Sequence, residues 1–249
     1  MTAARRGRRV EWVAGSAVGL ALLFAGVATV ASARDDGARH AAAPAPRTPA
    51  VDSADAGFAR DMAVHHQQAV EMSFIVRDRT RDEEARRLAY DIANTQANQR
   101  GMLLGWLDLW ELPKAAAGQE PMAWMAAGGH EGHGMDGMAG TEGTGTGYRA
   151  HDGSLMPGMA TRTELDRLRR ANGRNAEVLY LQLMTDHHKG GIDMARGCAR
   201  LCTVKVEKRL AQGMADAQQS ELDTMARMLA ARGAKPRIPS EPQMHPNGR

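Results

Sequence analysis

The chain has 249 residues, only 4% aromatic residues and 16 methionines, a balance that favours helices over a β-sandwich. Its formal net charge of +3 is carried by the first eleven residues, where Arg5, Arg6, Arg8 and Arg9 outweigh Glu11. The neutral remainder excludes nucleic-acid binding, which needs a clustered positive surface.

In chain order, RRGRRVEW is a basic start and residues 12–33 form an uncharged, largely apolar run. Ala31-Ser32-Ala33 fits a small-x-small cleavage site. The run is also long enough to cross a bilayer. Residues 1–33 therefore read either as a cleaved signal peptide or as an uncleaved membrane anchor. The arginines stay cytoplasmic, so the rest is expected outside the cytoplasm, exported or anchored to the cell membrane. No cysteine lies near residue 33, which excludes a lipid-anchored cysteine. Residues 34–54 are rich in Ala, Pro and Asp and read as a flexible linker.

The next elements form a helical hairpin over 55–113, with helices at 55–79 and 82–111 stopped by Pro113. The first helix carries DMAVHHQQAVEM (61–72). At 100° per residue, His65, His66, Met62, Met72, Phe58, Ala69 and Ser73 share one arc, and Glu71 points away. The apolar stripe of the second helix (Leu88, Ile92, Leu103, Trp106) is interrupted by Thr95, Gln96 and Gln99. Polar groups in such a stripe need partners, and histidines of the facing helix would supply them.

Residues 114–160 are rich in Gly, Met and His, including HEGHGMDGM (130–138) and MPGM (156–159). So much glycine argues for a mobile loop, and its length argues for a function. His130, His133, Met135, Met138, Met156 and Met159 are candidate accessory ligands there.

A short helix is expected at 162–171, capped by Thr161 and Glu164 and ended by Asn172-Gly173. The opening motif then returns as LMTDHHKGGIDM (183–194), displaced by 122 residues. In that register His65-His66 match His187-His188, Met62 matches Met184, Met72 matches Met194, and Gln96 matches Gln218. The register reads as an internal repeat of one helical hairpin. The second copy has helices at 175–199 and 204–231, within a segment 161–232, and residues 233–249 form a disordered tail. Two such hairpins are expected to dock as an all-α four-helix bundle over 55–232. Cys198 and Cys202, one helical turn apart, read as a disulfide staple or, alternatively, as a thiolate metal site.

The two histidine pairs, each bracketed by methionines, point to metal binding. Imidazole with thioether favours copper, Cu(I) in particular, whereas zinc gains little from thioethers. The metal candidates are His65, His66, Met62, Met72, His187, His188, Met184 and Met194, with Gln96, Gln99, Gln218 and Glu221 beside them. A di-iron site needs Glu-x-x-His, which neither HHQQAVE nor HHKGGID supplies, so iron or manganese fits less well. Hydrolytic triads and phosphate-binding glycine loops are absent.

The paired HH-x4-[DE]-M blocks, with Q-x-x-Q in the first copy, Q-x-x-E in the second and MPGM between, resemble the family called domain of unknown function 305. The resemblance covers about residues 55–232. It implies exported or membrane-anchored bacterial proteins with a ferritin-like four-helix bundle, some of them linked to copper binding and tolerance. By position, His65, His66, Met72, His187, His188 and Met194 match its motif. Gln99 departs from the usual Glu, which Glu221 retains. Three functions follow as expectations. They are a copper-binding protein that sequesters Cu(I) or passes it to or from a partner protein, a ferritin-like redox enzyme, and a structural bundle with a polar core.

Overall fold

In the computed structural model, residues 48–126 and 148–237 are described. The expected signal or anchor (1–33), most of the linker, His130, His133, Met135, Met138 and most of the tail lie outside them. Among the described residues the chain is all-helical, with α1 (Ala54–Arg79), α2 (Glu83–Leu109), α3 (Ala123–Ala126), α4 (Arg162–Arg170), α5 (Gly173–Leu201) and α6 (Lys205–Ala231). No helix among them is long and apolar enough to cross a membrane.

The helix ends follow from capping chemistry. The Ser53 side chain accepts the Ala56 N–H, and Asp82 accepts the Ala85 N–H, which satisfies donors that a helix start leaves open. Thr161 and Glu164 form the expected capping box at α4. Asn172-Gly173 does not end α4. Ala171 is the C-cap there, and Asn172 is the N-cap of α5, with Gly173 at φ +52° as its first residue. A left-handed backbone at that point favours glycine.

The long helices pack as a helical bundle. α1 packs on α2, α5 packs on α6, and α1 against α5 joins the two hairpins. Two ties fix α1 and α5 antiparallel. At one end, Asp55 in the first turn of α1 accepts the N–H groups of Thr203 and Val204, between α5 and α6. At the other end, Arg232 after α6 pairs with Asp82 at 2.7 Å and with Glu177 at 2.8 Å, and the Thr80 hydroxyl donates to Glu177. Arg232 and Glu177 are largely buried, so this network resists screening better than a surface pair would.

The segment between the hairpins is more ordered at its described ends than its glycine content predicts. Asp61 on α1 accepts the Met122 N–H at 2.7 Å and the Trp124 indole N–H at 2.9 Å. Trp124 lies against Gly57, where an added Cβ would meet its ring at 2.5 Å. Met122, Trp124, Met156 and Ala160 are buried. A few anchor residues therefore override a loop-like composition.

Candidate metal centre

The arc read from the sequence faces inward. His65, His66, His187, His188, Met62, Met72, Met184 and Met194 are all fully buried. Because α1 and α5 run antiparallel, the histidines meet at mid-height. The His65 and His187 rings lie against each other with centroids 3.7 Å apart and planes tilted by 32°, and the His187 Nε2–H donates to the His65 carbonyl at 3.0 Å. Antiparallel packing also pairs the methionines across the two hairpins. Met62 and Met194 share one apolar cluster, and Met72 and Met184 share the other.

The outer histidines are held by α2 and α6. The His66 Nε2–H donates to Gln99 Oε1 at 2.9 Å, and the His188 Nε2–H donates to Glu221 Oε2 at 2.6 Å. A carboxylate and a backbone carbonyl only accept, so the tautomers of His188 and His187 are set. The consequence is chemical. Two imidazoles have Nε2–H fixed by an oxygen, His66 is bonded through Nε2 to the Gln99 amide, and the Nδ1 atoms of His66, His187 and His188 are buried without a partner. Neither nitrogen of His65 has one. The Pro157 carbonyl lies close enough to favour protonation of His65, yet no well-formed hydrogen bond joins them. A ligand histidine is ordinarily oriented in this way, by an outer acceptor on one nitrogen and a free lone pair on the other.

Burial keeps the His65, His66 and His187 rings neutral. It lowers the pKa of His65 and His187 well below the usual imidazole value, and neighbouring histidines lower it further. Burial also lowers His66 to about 3, against a smaller opposing effect of the Gln99 bond. Neutral imidazole is the form that donates to a metal.

The ligand atoms do not converge on one point. Among the described residues, no three nitrogen or carboxylate donors of this layer lie within 4.8 Å of one another. The donor chemistry fits a soft ion, but the His65–His187 contact must open to receive one.

Gln96 and Gln218 are buried as expected, but the histidines do not satisfy them. Both polar atoms of Gln96 and the Oε1 of Gln218 lack partners. Thr95 is exposed and takes no part in the layer. Glu71 is outside it too, in an ion pair with Arg169. Met156 is buried with Met62 and Met194, and Met159 is half-buried beside them. Cys198 and Cys202 form a disulfide at the end of α5.

Reasoning from sequence missed how Met156 is held. The Pro157 carbonyl lies against Gly190, where a Cβ would sit 2.0 Å away. Gly158, at φ +82°, lies against the Asp186 carbonyl in the same way. The signal was the Gly190-Gly191 pair, whose lack of side chains admits a crossing backbone. Gly190→Ala is therefore expected to lift the 156–159 turn and destabilise the fold by about 1–3 kcal/mol. Urea unfolding checks this, and an unchanged midpoint would show that the turn does not depend on that contact.

These features define a helical-bundle protein with a layer of histidine and methionine in its core. The chain belongs to the DUF305 family (domain of unknown function), whose model matches residues 55–229. A crystal structure of a DUF305 protein from Streptomyces coelicolor, inferred to be secreted, is 58% identical with a TM-score of 0.63, covering 76% of this chain and 99% of that one. A DUF305 fragment from Deinococcus radiodurans is 23% identical with a TM-score of 0.54, covering 75% of this chain and 99% of that one. CopM in its Cu(I)-bound form is 18% identical with a TM-score of 0.50, covering 71% and 96% respectively. The last two show the shared fold. None of the curated proteins matches the chain.

Proposed function

We propose that this is an exported copper-binding protein that holds Cu(I) in the histidine–methionine layer and exchanges it with a donor or acceptor protein. One observation carries the reading. Buried neutral imidazoles present unpartnered Nδ1 atoms between two pairs of methionines. A buried polar atom without a partner costs about 1–3 kcal/mol, and an ion would remove that cost for several atoms at once. The Cu(I)-bound state of CopM and the secreted character inferred for the Streptomyces coelicolor relative support the reading. Iron or manganese fits less well, because among the described residues Glu221 is the one carboxylate bonded to the layer.

The hairpins are read as copies of one ancestral unit with a ferritin-like arrangement. His66–Gln99 and His188–Glu221 span the same 33 residues, and the His65–His187 contact spans the 122-residue repeat. A purely structural polar core is the second reading, favoured by those same outer hydrogen bonds.

Competition for Cu(I) against a chromophoric chelator tests the proposal. Affinity of roughly micromolar or tighter is expected, about −8 kcal/mol. A His65/His66/His187/His188→Ala variant should lose it. Equal Cu(I) binding by that variant would rule this layer out as the site, and elemental analysis of native protein without stoichiometric copper would favour the structural core.

A further inference from the structure

Beside the α5–α6 turn, Glu207 in the first turn of α6 is 0% exposed, and neither carboxyl oxygen has a hydrogen-bond partner. It has no capping role, because Asp55 already accepts the Thr203 and Val204 N–H groups at 2.8 and 2.7 Å. Its neighbours are sulfurs. Ligand atoms of Cys198, Cys202 and Glu207 all lie within 4.8 Å of one another, the one such group among the described residues. Burial and the nearby Asp55 carboxylate raise the Glu207 pKa to about 9, so the group is a neutral acid while the disulfide is intact. Asp55 lies alongside without a well-formed hydrogen bond to it. An orphaned buried carboxyl needs an explanation, and an ion is one.

We propose that Cys198, Cys202 and Glu207 constitute a second metal site, for a Zn2+-class ion, that opens only when their disulfide is reduced. Two thiolates on a zinc ion sit roughly 3.7 Å apart, given Zn–S bonds of about 2.3 Å in tetrahedral geometry. Residues one helical turn apart reach that separation, since the Cys198 and Cys202 Cα atoms are 4.8 Å apart. The carboxylate decides the ion class. Cu(I) is content with two thiolates and gains little from a hard oxygen, whereas zinc accepts mixed sulfur and oxygen ligands. The Asp55 carboxylate adds a favourable field for a cation.

With a trialkylphosphine as reductant, the S–S bond breaks and phosphorus is oxidised by two electrons. Water supplies the oxygen of the phosphine oxide and the two protons of the new thiols. The ion then displaces both thiol protons and the Glu207 proton into solvent. While the disulfide stands, the sulfurs are bonded to each other and the site is closed.

The test uses the full chain, treated with phosphine until two thiols per chain are titrated, with Co2+ standing in for Zn2+. Reduced protein should bind about one Co2+ per chain with a near-ultraviolet sulfur-to-cobalt charge-transfer band, which Zn2+ removes, and oxidised protein should show no such band. Glu207→Gln should keep the wild-type circular dichroism and lose roughly tenfold or more in Co2+ affinity. Absence of the band in reduced wild type overturns the site, and so does undiminished affinity in Glu207→Gln. Cu(I) binding to the histidine layer is measured on the oxidised chain, so the two proposals fail independently.

Discussion

Metal-free His65→Leu is expected to be about 1–2 kcal/mol more stable than the wild type, while its Cu(I) affinity falls roughly tenfold or more. His65 is fully buried and neither nitrogen has a partner, so the wild type bears its desolvation without compensation. Leucine is of similar size and removes that burden. It forfeits the ring contact with His187, worth about 0.5–1.5 kcal/mol, which limits the gain. The two readouts move oppositely only if the ring is kept for a ligand. Wild type at about 100 times its Kd in Cu(I) should gain roughly 2.7 kcal/mol, and the variant should gain far less. Urea unfolding with chelator and with Cu(I) measures both. Destabilisation of the metal-free variant by more than about 1 kcal/mol would instead favour the structural polar core.

Acid is expected to unfold the metal-free protein near pH 4–5. His65, His66 and His187 are held neutral in the fold, with pKa values below the unfolded value of about 6.5. Below pH 6.5 the unfolded chain binds protons that the folded chain refuses. Stability is therefore fully present above about 6.5 and falls as pH drops, by up to about 1.4 kcal/mol per unit for each ring. For His66 the loss continues to about pH 3. Three rings together approach roughly 4 kcal/mol per unit, which consumes a typical 5–15 kcal/mol within a few units. Glu207 acts with the opposite sign. Its folded pKa is raised to about 9, so it favours the fold at low pH and weakens it as pH rises above about 4.5. Maximum stability should then fall near pH 7, where the slopes of the three rings and of Glu207 cancel. Denaturant titrations from pH 4.5 to 7.5 measure the profile, and His66→Leu should flatten its acid limb by about one ring's share. A flat wild-type profile below pH 6.5 would mean that the rings accept protons in place.

The sequence shows the helices and the inward arc clearly, because both rest on local rules. Ser53, Asp82 and Thr161 cap where such residues should. The 3.6-residue period places His65 and Met72 on one face. What it does not show depends on contacts distant in the chain. Pairing of Met62 with Met194, rather than with Met184 at the matching motif position, follows from antiparallel docking of the hairpins. The lone carboxyl at Glu207 looks like an ordinary first-turn acid until Asp55, over 150 residues earlier, takes the capping role. Likewise the glycine content of 114–160 hides Trp124 and Met156, single residues whose burial depends on Asp61 and Gly190.

The unequal outer partners, Gln99 for His66 and Glu221 for His188, have an electrochemical consequence. Among the described residues, the carboxylate hydrogen-bonded to a histidine of this layer is Glu221, 24% exposed, and His66, its counterpart, meets a neutral amide. A monovalent ion is balanced by that single negative charge. Oxidation to the divalent state would leave an uncompensated charge in an apolar core, at a cost of several kcal/mol. The reduction potential of bound copper should accordingly lie above that of copper in water, and Glu221→Gln should raise it further.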